Sequence, residues 1–377
     1  MTDPDDLTAI VVGGSQYPEN PYMKMLIRSL RDRGTTVLTP EIPFLFPLTR
    51  IALGNRDADV IQLDWVYGYY ITDETGVGPL DAALTAVRTI TFLLDLLIVS
   101  LLPVSIVRTV HNKHHHEQKY RRTERIVNEL LFWIADAVTV KCHAAAEIIA
   151  DAYRVPEAET LDVIPDGNYI PAYENRVSRE QARAELSIPE DAFVYLFFGL
   201  VREYKGIPEL IDAFGRLEAP NAELWIVGNP HTDELERELS AMASETGSVE
   251  TVFEFVPDDR IQYYMNAADA FVLPYRSILN SGSAYLGLSY GVPIIAPTIG
   301  CLPESLPPEN EFLYDPAERN ALGRELKRAY DHPSLESIGR ENYEYAVEQD
   351  WGTTAEAIAR VYARTVDRSR SSPVIEG

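Results

Sequence analysis

Phe193-Val-Tyr-Leu-Phe-Phe-Gly-Leu-Val-Arg-Glu-Tyr-Lys-Gly206 reads as a strand, a turn and the entry to a helix. Residues 193–197 are all apolar or aromatic, which is the run of a strand buried on both faces of a parallel sheet. Gly199 ends the run, and Leu210, Ile211, Phe214 and Leu217 then recur at helical spacing. Arg202 and Lys205 fall on the turn between. Strand, glycine-bearing turn and helix start together present N–H groups and positive charge at the carboxyl edge of a sheet, where anions bind. Two cations there stand out in a chain of net charge -25.

A second such element lies downstream. Asn280-Ser-Gly-Ser283 opens a helix with small residues. Serine or asparagine there caps the helix in any case. Small neighbours also leave the first N–H groups approachable, so Ser281, Gly282 and Ser283 suit a diphosphate. The strands at 223–227, 251–256 and 270–273 end in loops bearing Gly228 and Asn229, Val256 and Pro257, and Tyr275 and Arg276. These loops share the edge occupied by Lys205, and we expect them to line the ligand bound there.

The first half opens in the same way. Residues 7–12 form a strand running into Gly13 and Gly14, and a helix follows from about 22 to 33. The Gly-x-Gly-x-x-Gly spacing of a dinucleotide site is absent. Strands at 36–38 and 59–63 come next, with Asp64 just past the second. A strand over 104–110 leads into His111, so Asp64 and His111 are expected at the same edge as Gly13. The run His114, His115, His116 resembles a metal site, but neighbours on an extended chain point opposite ways. No cysteine or carboxylate completes a tetrahedral set, and no metal is expected.

Residues 89–107 are the most apolar segment, interrupted by Asp95 and Pro103. The charge and the proline argue against a membrane span. We read a helix to about 102, either buried or lying on a membrane surface. Arg121, Arg122 and Arg125 follow on the next helix, a local exception in an acidic chain.

The totals bound the rest. At 377 residues the chain suits two domains. Lys+Arg 33 against Asp+Glu 58 excludes general nucleic-acid binding. Dispersed acidity of this size suits concentrated salt, so a halophilic, acidic protein is expected. Cys142 and Cys301 offer no disulfide framework and no metal spacing, which suits a reducing compartment. The acidic start, Met-Thr-Asp-Pro-Asp-Asp, is unlike a secretion signal. A cytoplasmic location, either free or at the inner face of the cell membrane, is the expectation.

Residues 197–214, together with Leu-Trp-Ile-Val-Gly at 224–228, Ala-Ala-Asp-Ala-Phe-Val-Leu-Pro-Tyr-Arg at 267–276 and Gly-Val-Pro-Ile-Ile-Ala-Pro at 291–297, resemble family-4-like glycosyltransferases of the GT-B fold, the glycosyl transferases group 1. In the first half the resemblance rests on Thr-Val-His-Asn at 109–112 and the Gly13-Gly14 turn. It implies an α/β chain of two Rossmann-like, doubly wound domains facing across a cleft. We expect an acceptor-side domain over 1–168, a nucleotide-sugar domain over 169–351, and a helix at about 352–377 packing back on the first. The resemblance further implies that Arg202 and Lys205 hold the donor diphosphate and that His111 sits beside the transferred sugar. Where retaining members carry two glutamates, this chain has Ile278 and Leu286, which leaves an inverting reaction open.

The expected activity is transfer of a hexose from a nucleotide diphosphate sugar to a glycan or lipid-linked acceptor, with no metal and no cofactor. Two cations and helix-end amides would meet the charge of the departing nucleoside diphosphate. Asp64 is the expected base for an inverting reaction, with His111 positioning the sugar. A nucleotide-sugar epimerase or hydrolase, or a non-catalytic sugar-nucleotide-binding protein, also fits the sequence.

Overall fold

The computed structural model describes residues 3, 6–13, 17, 19–72, 78–114, 120–153, 155 and 161–371, the side chains of the last two excepted. The chain divides into two compact units, one of Met1–Asp166 with Trp351–Gly377 and one of Gly167–Asp350.

The first unit is built on a parallel sheet of β1 (Thr8–Val12), β2 (Thr36–Leu38), β3 (Val60–Leu63), β4 (Ser105–Thr109), β5 (Ala137–Val140) and β6 (Asp162–Val163), in the order β2-β1-β3-β4-β5-β6. The order reverses between β1 and β3, so a crevice opens outside their carboxyl ends. Asn20 caps the helix Pro21–Asp32 that returns from β1, accepting from the Met23 amide at 3.4 Å. Ile61, Leu63, Phe92, Leu96 and Leu131 share one core beneath the sheet.

The connection from β3 to β4 carries the apolar helix. It spans Gly78–Val99, beginning well before the residues expected from hydropathy, because Ala82, Ala83 and Ala86 extend the helix without adding to the apolar run. Asp95 is fully buried and accepts from the amides of Leu48 and Thr49 at 2.8 and 2.9 Å. Those amides open the helix Pro47–Gly54, whose own cap residue offers no side-chain acceptor. Asp95 therefore supplies the missing cap from a neighbouring helix.

The second unit holds β7 (Phe193–Phe198), β8 (Ala222–Val227), β9 (Val249–Val252), β10 (Ala270–Val272), β11 (Ile294–Pro297) and β12 (Leu313–Tyr314), all parallel, in the order β12-β11-β10-β7-β8-β9. Tyr195 and Phe197 of β7 are fully buried at the centre. The reversal falls between β7 and β10. Strand β9 ends earlier than expected, which leaves Val256 and Pro257 in the loop beyond it.

Candidate active site

In the second unit the sheet edge is shaped by close backbone approaches. A Cβ on Gly206, at φ +69°, would lie 1.9 Å from the Pro274 carbonyl oxygen. The turn after β7 therefore packs directly on the loop after β10. Gly228, at φ +143°, stands as close to the Gly199 carbonyl.

This packing brings Lys205 to Tyr275, with Nζ donating to the phenol oxygen at 2.8 Å and lying 4.1 Å from the ring centre. Ser281 closes the group: its Oγ lies 3.3 Å from the Tyr275 oxygen and accepts from the Ala284 amide. That cap belongs to the helix Gly282–Ser289 and contributes about 1 kcal/mol. Gly282 and Ser283 follow in the first helical turn, and Arg202 is half-buried at the start of the turn after β7. Lys205, Tyr275 and Ser281 thus meet at the β7/β10 reversal, the position where a doubly wound sheet binds its ligand.

The remaining predicted residues of this edge are dispersed. Arg276 is exposed and pairs with Glu209 at 2.6 Å. Asn229 and Pro257 are exposed, while Val256 is buried. Leu286 is buried in the core, and Ile278 is half-buried.

In the first unit, Asp64 and His111 meet. Asp64 follows β3, His111 lies just beyond β4, and the imidazole Nε2 is 2.8 Å from Asp64 Oδ1. Tyr22 donates to the same oxygen at 3.1 Å, and Gln62 Nε2 donates to Oδ2 at 2.8 Å. Tyr362, on the helix Trp351–Ser371, donates to Gln62 Oε1 and so fixes which way the amide points. Arg108 spends Nη1 on the carbonyls of Leu63, Asp64 and Thr109. Trp65 stacks on the imidazole with ring centres 4.5 Å apart, and Tyr22 meets it edge-on at 4.7 Å.

The electrostatics assign the protons. Burial pushes the Asp64 carboxyl up, but hydrogen bonds from His111 and Gln62, with the charge of Lys141, outweigh it and hold it below the usual range. His111 is lowered, chiefly by burial and then by Lys141, against the pull of Asp64 and Asp166. Burial raises the Tyr22 phenol well above its ordinary value, and Asp64 adds to this. The resulting state is a neutral His111 donating through Nε2 to an ionised Asp64. Nδ1 then carries the lone pair, and among the described residues it has no hydrogen-bond partner.

Asp64 is therefore poorly placed as the base expected from sequence. Its carboxylate is enclosed and both oxygens already accept hydrogen bonds, one of them from the His111 imidazole. Gly13 ends β1 at φ +107°, and Gly14 lies outside the described residues. So do His115 and His116; His114 Nδ1 lies 3.3 Å from the Tyr153 hydroxyl. Tyr22, Gln62, Lys141, Asp166 and Tyr362 also belong to this cluster, and their only common signal in the sequence is nearness to strand ends or to the last helix.

Residues 192–332 match the family model described as glycosyl transferases group 1. A GDP-mannose:glycolipid 4-beta-D-mannosyltransferase of Xanthomonas campestris pv. campestris is 28% identical over 302 residues, 78% of this chain and 76% of that one. The chain is a GT-B glycosyltransferase. A D-inositol 3-phosphate glycosyltransferase of Streptomyces avermitilis is also similar, at 26% identity over 65% of this chain and 56% of that protein. Among solved structures, HepE of Anabaena in complex with UDP and glucose superposes on the glycosyltransferase with a TM-score of 0.70. It shares 17% identity, over 94% of this chain and 98% of that one. Transfer from a nucleotide sugar is accordingly the activity.

Proposed function

We propose that this glycosyltransferase moves a hexose from a nucleoside diphosphate sugar to a lipid-linked acceptor, with inversion and without a metal ion. The meeting of Lys205, Tyr275 and Ser281 at the β7/β10 reversal carries the reading. A buried ammonium group beside a capped helix start suits the charge that develops on a departing diphosphate, and Arg202 adds a second cation. GDP-mannose is the first donor to test, and a glycolipid the first acceptor, because the similar mannosyltransferase is named for both.

In this reading His111 is the base. The acceptor hydroxyl oxygen bonds to the anomeric carbon as the bond from that carbon to the diphosphate oxygen breaks. The hydroxyl proton passes to His111 Nδ1, and the nucleoside diphosphate leaves with the electron pair. Asp64 stabilises the imidazolium so formed. Leu286 and Ile278, standing where the retaining pattern has carboxylates, favour direct displacement.

The protein works at the inner face of a membrane in this reading, and its acidity adapts it to high salt. The apolar helix Gly78–Val99 supports the first point and the net charge of -25 the second. The test is transfer of labelled mannose from GDP-mannose into organic-soluble product in the presence of EDTA. Undiminished turnover is expected. Activity abolished by chelation and restored by a divalent ion overturns the metal-free mechanism.

A further inference from the structure

The hydrogen bonds around Asp64 continue into a buried ion pair that the transfer chemistry does not itself use. Lys141 follows β5 and Asp166 follows β6; Nζ and Oδ1 are 2.6 Å apart, with side chains only 2% and 4% exposed. Lys141 Nζ also lies 3.4 Å from the Tyr22 oxygen and 4.7 Å from the centre of its ring. Tyr22 in turn donates to Asp64. Groups from beyond β3, β5 and β6 and from the helix Pro21–Asp32 are thereby joined to the imidazole beyond β4.

An enclosed pair of this kind gains little stability over apolar residues of similar volume, because desolvation consumes most of the attraction. Its effect on its neighbours is larger, since charges act strongly where water is excluded. We propose that Lys141 and Asp166 are positioning residues which, through Tyr22, fix the Asp64–His111 pair and, by their opposed charges, set the balance between its protonated and unprotonated forms. The proposal rests on the reading of His111 as the proton acceptor.

The two charges act on His111 in opposite directions. The ammonium of Lys141 disfavours a second positive charge on the ring, and the carboxylate of Asp166 favours it. The other groups facing the ring are the Asp64 carboxylate from β3, the Tyr22 phenol from the first helix and the face of Trp65. Arg108 stands behind Asp64 at its backbone carbonyl, and Tyr362 behind Gln62. A role confined to packing predicts similar losses for either substitution. A role through charge predicts shifts of opposite sign.

The experiment measures kcat against pH, alongside carbon NMR titration of the labelled His111 imidazole, in Lys141→Met, Lys141→Arg and Asp166→Asn. In wild type, activity falls as pH drops through the His111 value, because the ring must be unprotonated to accept a proton. Lys141→Met should move that limb and the imidazole titration to higher pH, and Asp166→Asn should move both to lower pH. Lys141→Arg should restore the wild-type position. Shifts in the same direction for Met and Asn, or none in either, overturn the proposal. Where Lys141→Met does not fold, Asp166→Asn decides by the sign of its shift. Should the titrations move as expected while His111→Gln turns over normally, the charge pair is upheld and the assignment of the base falls.

Discussion

In the proposed reading Lys205 meets the donor diphosphate from a position that is already fixed. Its ammonium is held by the Tyr275 phenol and ring, so little side-chain freedom is left to lose when a diphosphate arrives. Lys205→Ala should weaken nucleoside diphosphate binding by about 1.5–3 kcal/mol, the worth of a charge-assisted hydrogen bond. Arg202→Ala should act in the same direction. The free nucleoside should bind almost unchanged, and calorimetry with both ligands separates the cases. Equal losses for the two would remove these residues from the phosphate site. Lys205 was legible because strand, turn and helix entry are contiguous in sequence. Asp64 and His111 were legible as neighbours because each follows a strand at one sheet edge. Their division of labour was not, since it depends on burial and on Tyr22, Gln62 and Tyr362. Tyr362 and Gln62 are 300 positions apart, and no local pattern joins them.

The helix Gly78–Val99 shows what hydropathy reveals about an element and what it misses. The apolar run was plain in the sequence, but Asp95 read only as a barrier to spanning a bilayer. In the fold it is an inward-facing cap for the helix Pro47–Gly54. Asp81 is also buried, so neither carboxylate of the helix reaches its outer face. That face presents Leu80, Leu84, Val87, Ile90, Leu94 and Leu97, one stripe at helical spacing and largely solvent-exposed. Only 28% of the most apolar window is buried. In the proposed reading this stripe is the membrane contact, because its form suits a helix lying in the plane of a membrane interface. Trp133 on the helix Arg121–Ile134 is 76% exposed, with Arg121 and Arg122 exposed at the start of that helix. Arg125 pairs with Glu129 at 2.9 Å. The protein should float with anionic liposomes, and Ile90→Glu with Leu94→Glu should release it. Arg121→Glu with Arg122→Glu should weaken binding most at low salt, each cation contributing about 1 kcal/mol. A wild type that stays unbound at every salt concentration points to a soluble acceptor.

Across the whole molecule, 58 acidic residues against 33 basic ones set a cost that salt can lift. Screening shortens from about 30 Å at 0.01 M to about 3 Å at 1 M, so self-repulsion should matter only in dilute buffer. The melting temperature should rise steeply with potassium chloride; a fold indifferent to salt contradicts a halophilic adaptation. The two parallel sheets were readable from alternating strands and helices. The helices Pro47–Gly54 and Arg179–Leu186 were not, being short and held by caps and neighbours rather than by a long apolar period. If His111 accepts the proton as a hexose leaves its nucleoside diphosphate, single-turnover transfer should depend on its imidazole. Labelled GDP-mannose is followed into lipid product and free mannose separately, in wild type and His111→Gln. Wild type should place the label in the lipid and the variant should do so about 10²–10⁴-fold more slowly, with donor affinity unchanged. Equal transfer rates in the two proteins, or label released only to water, would contradict it.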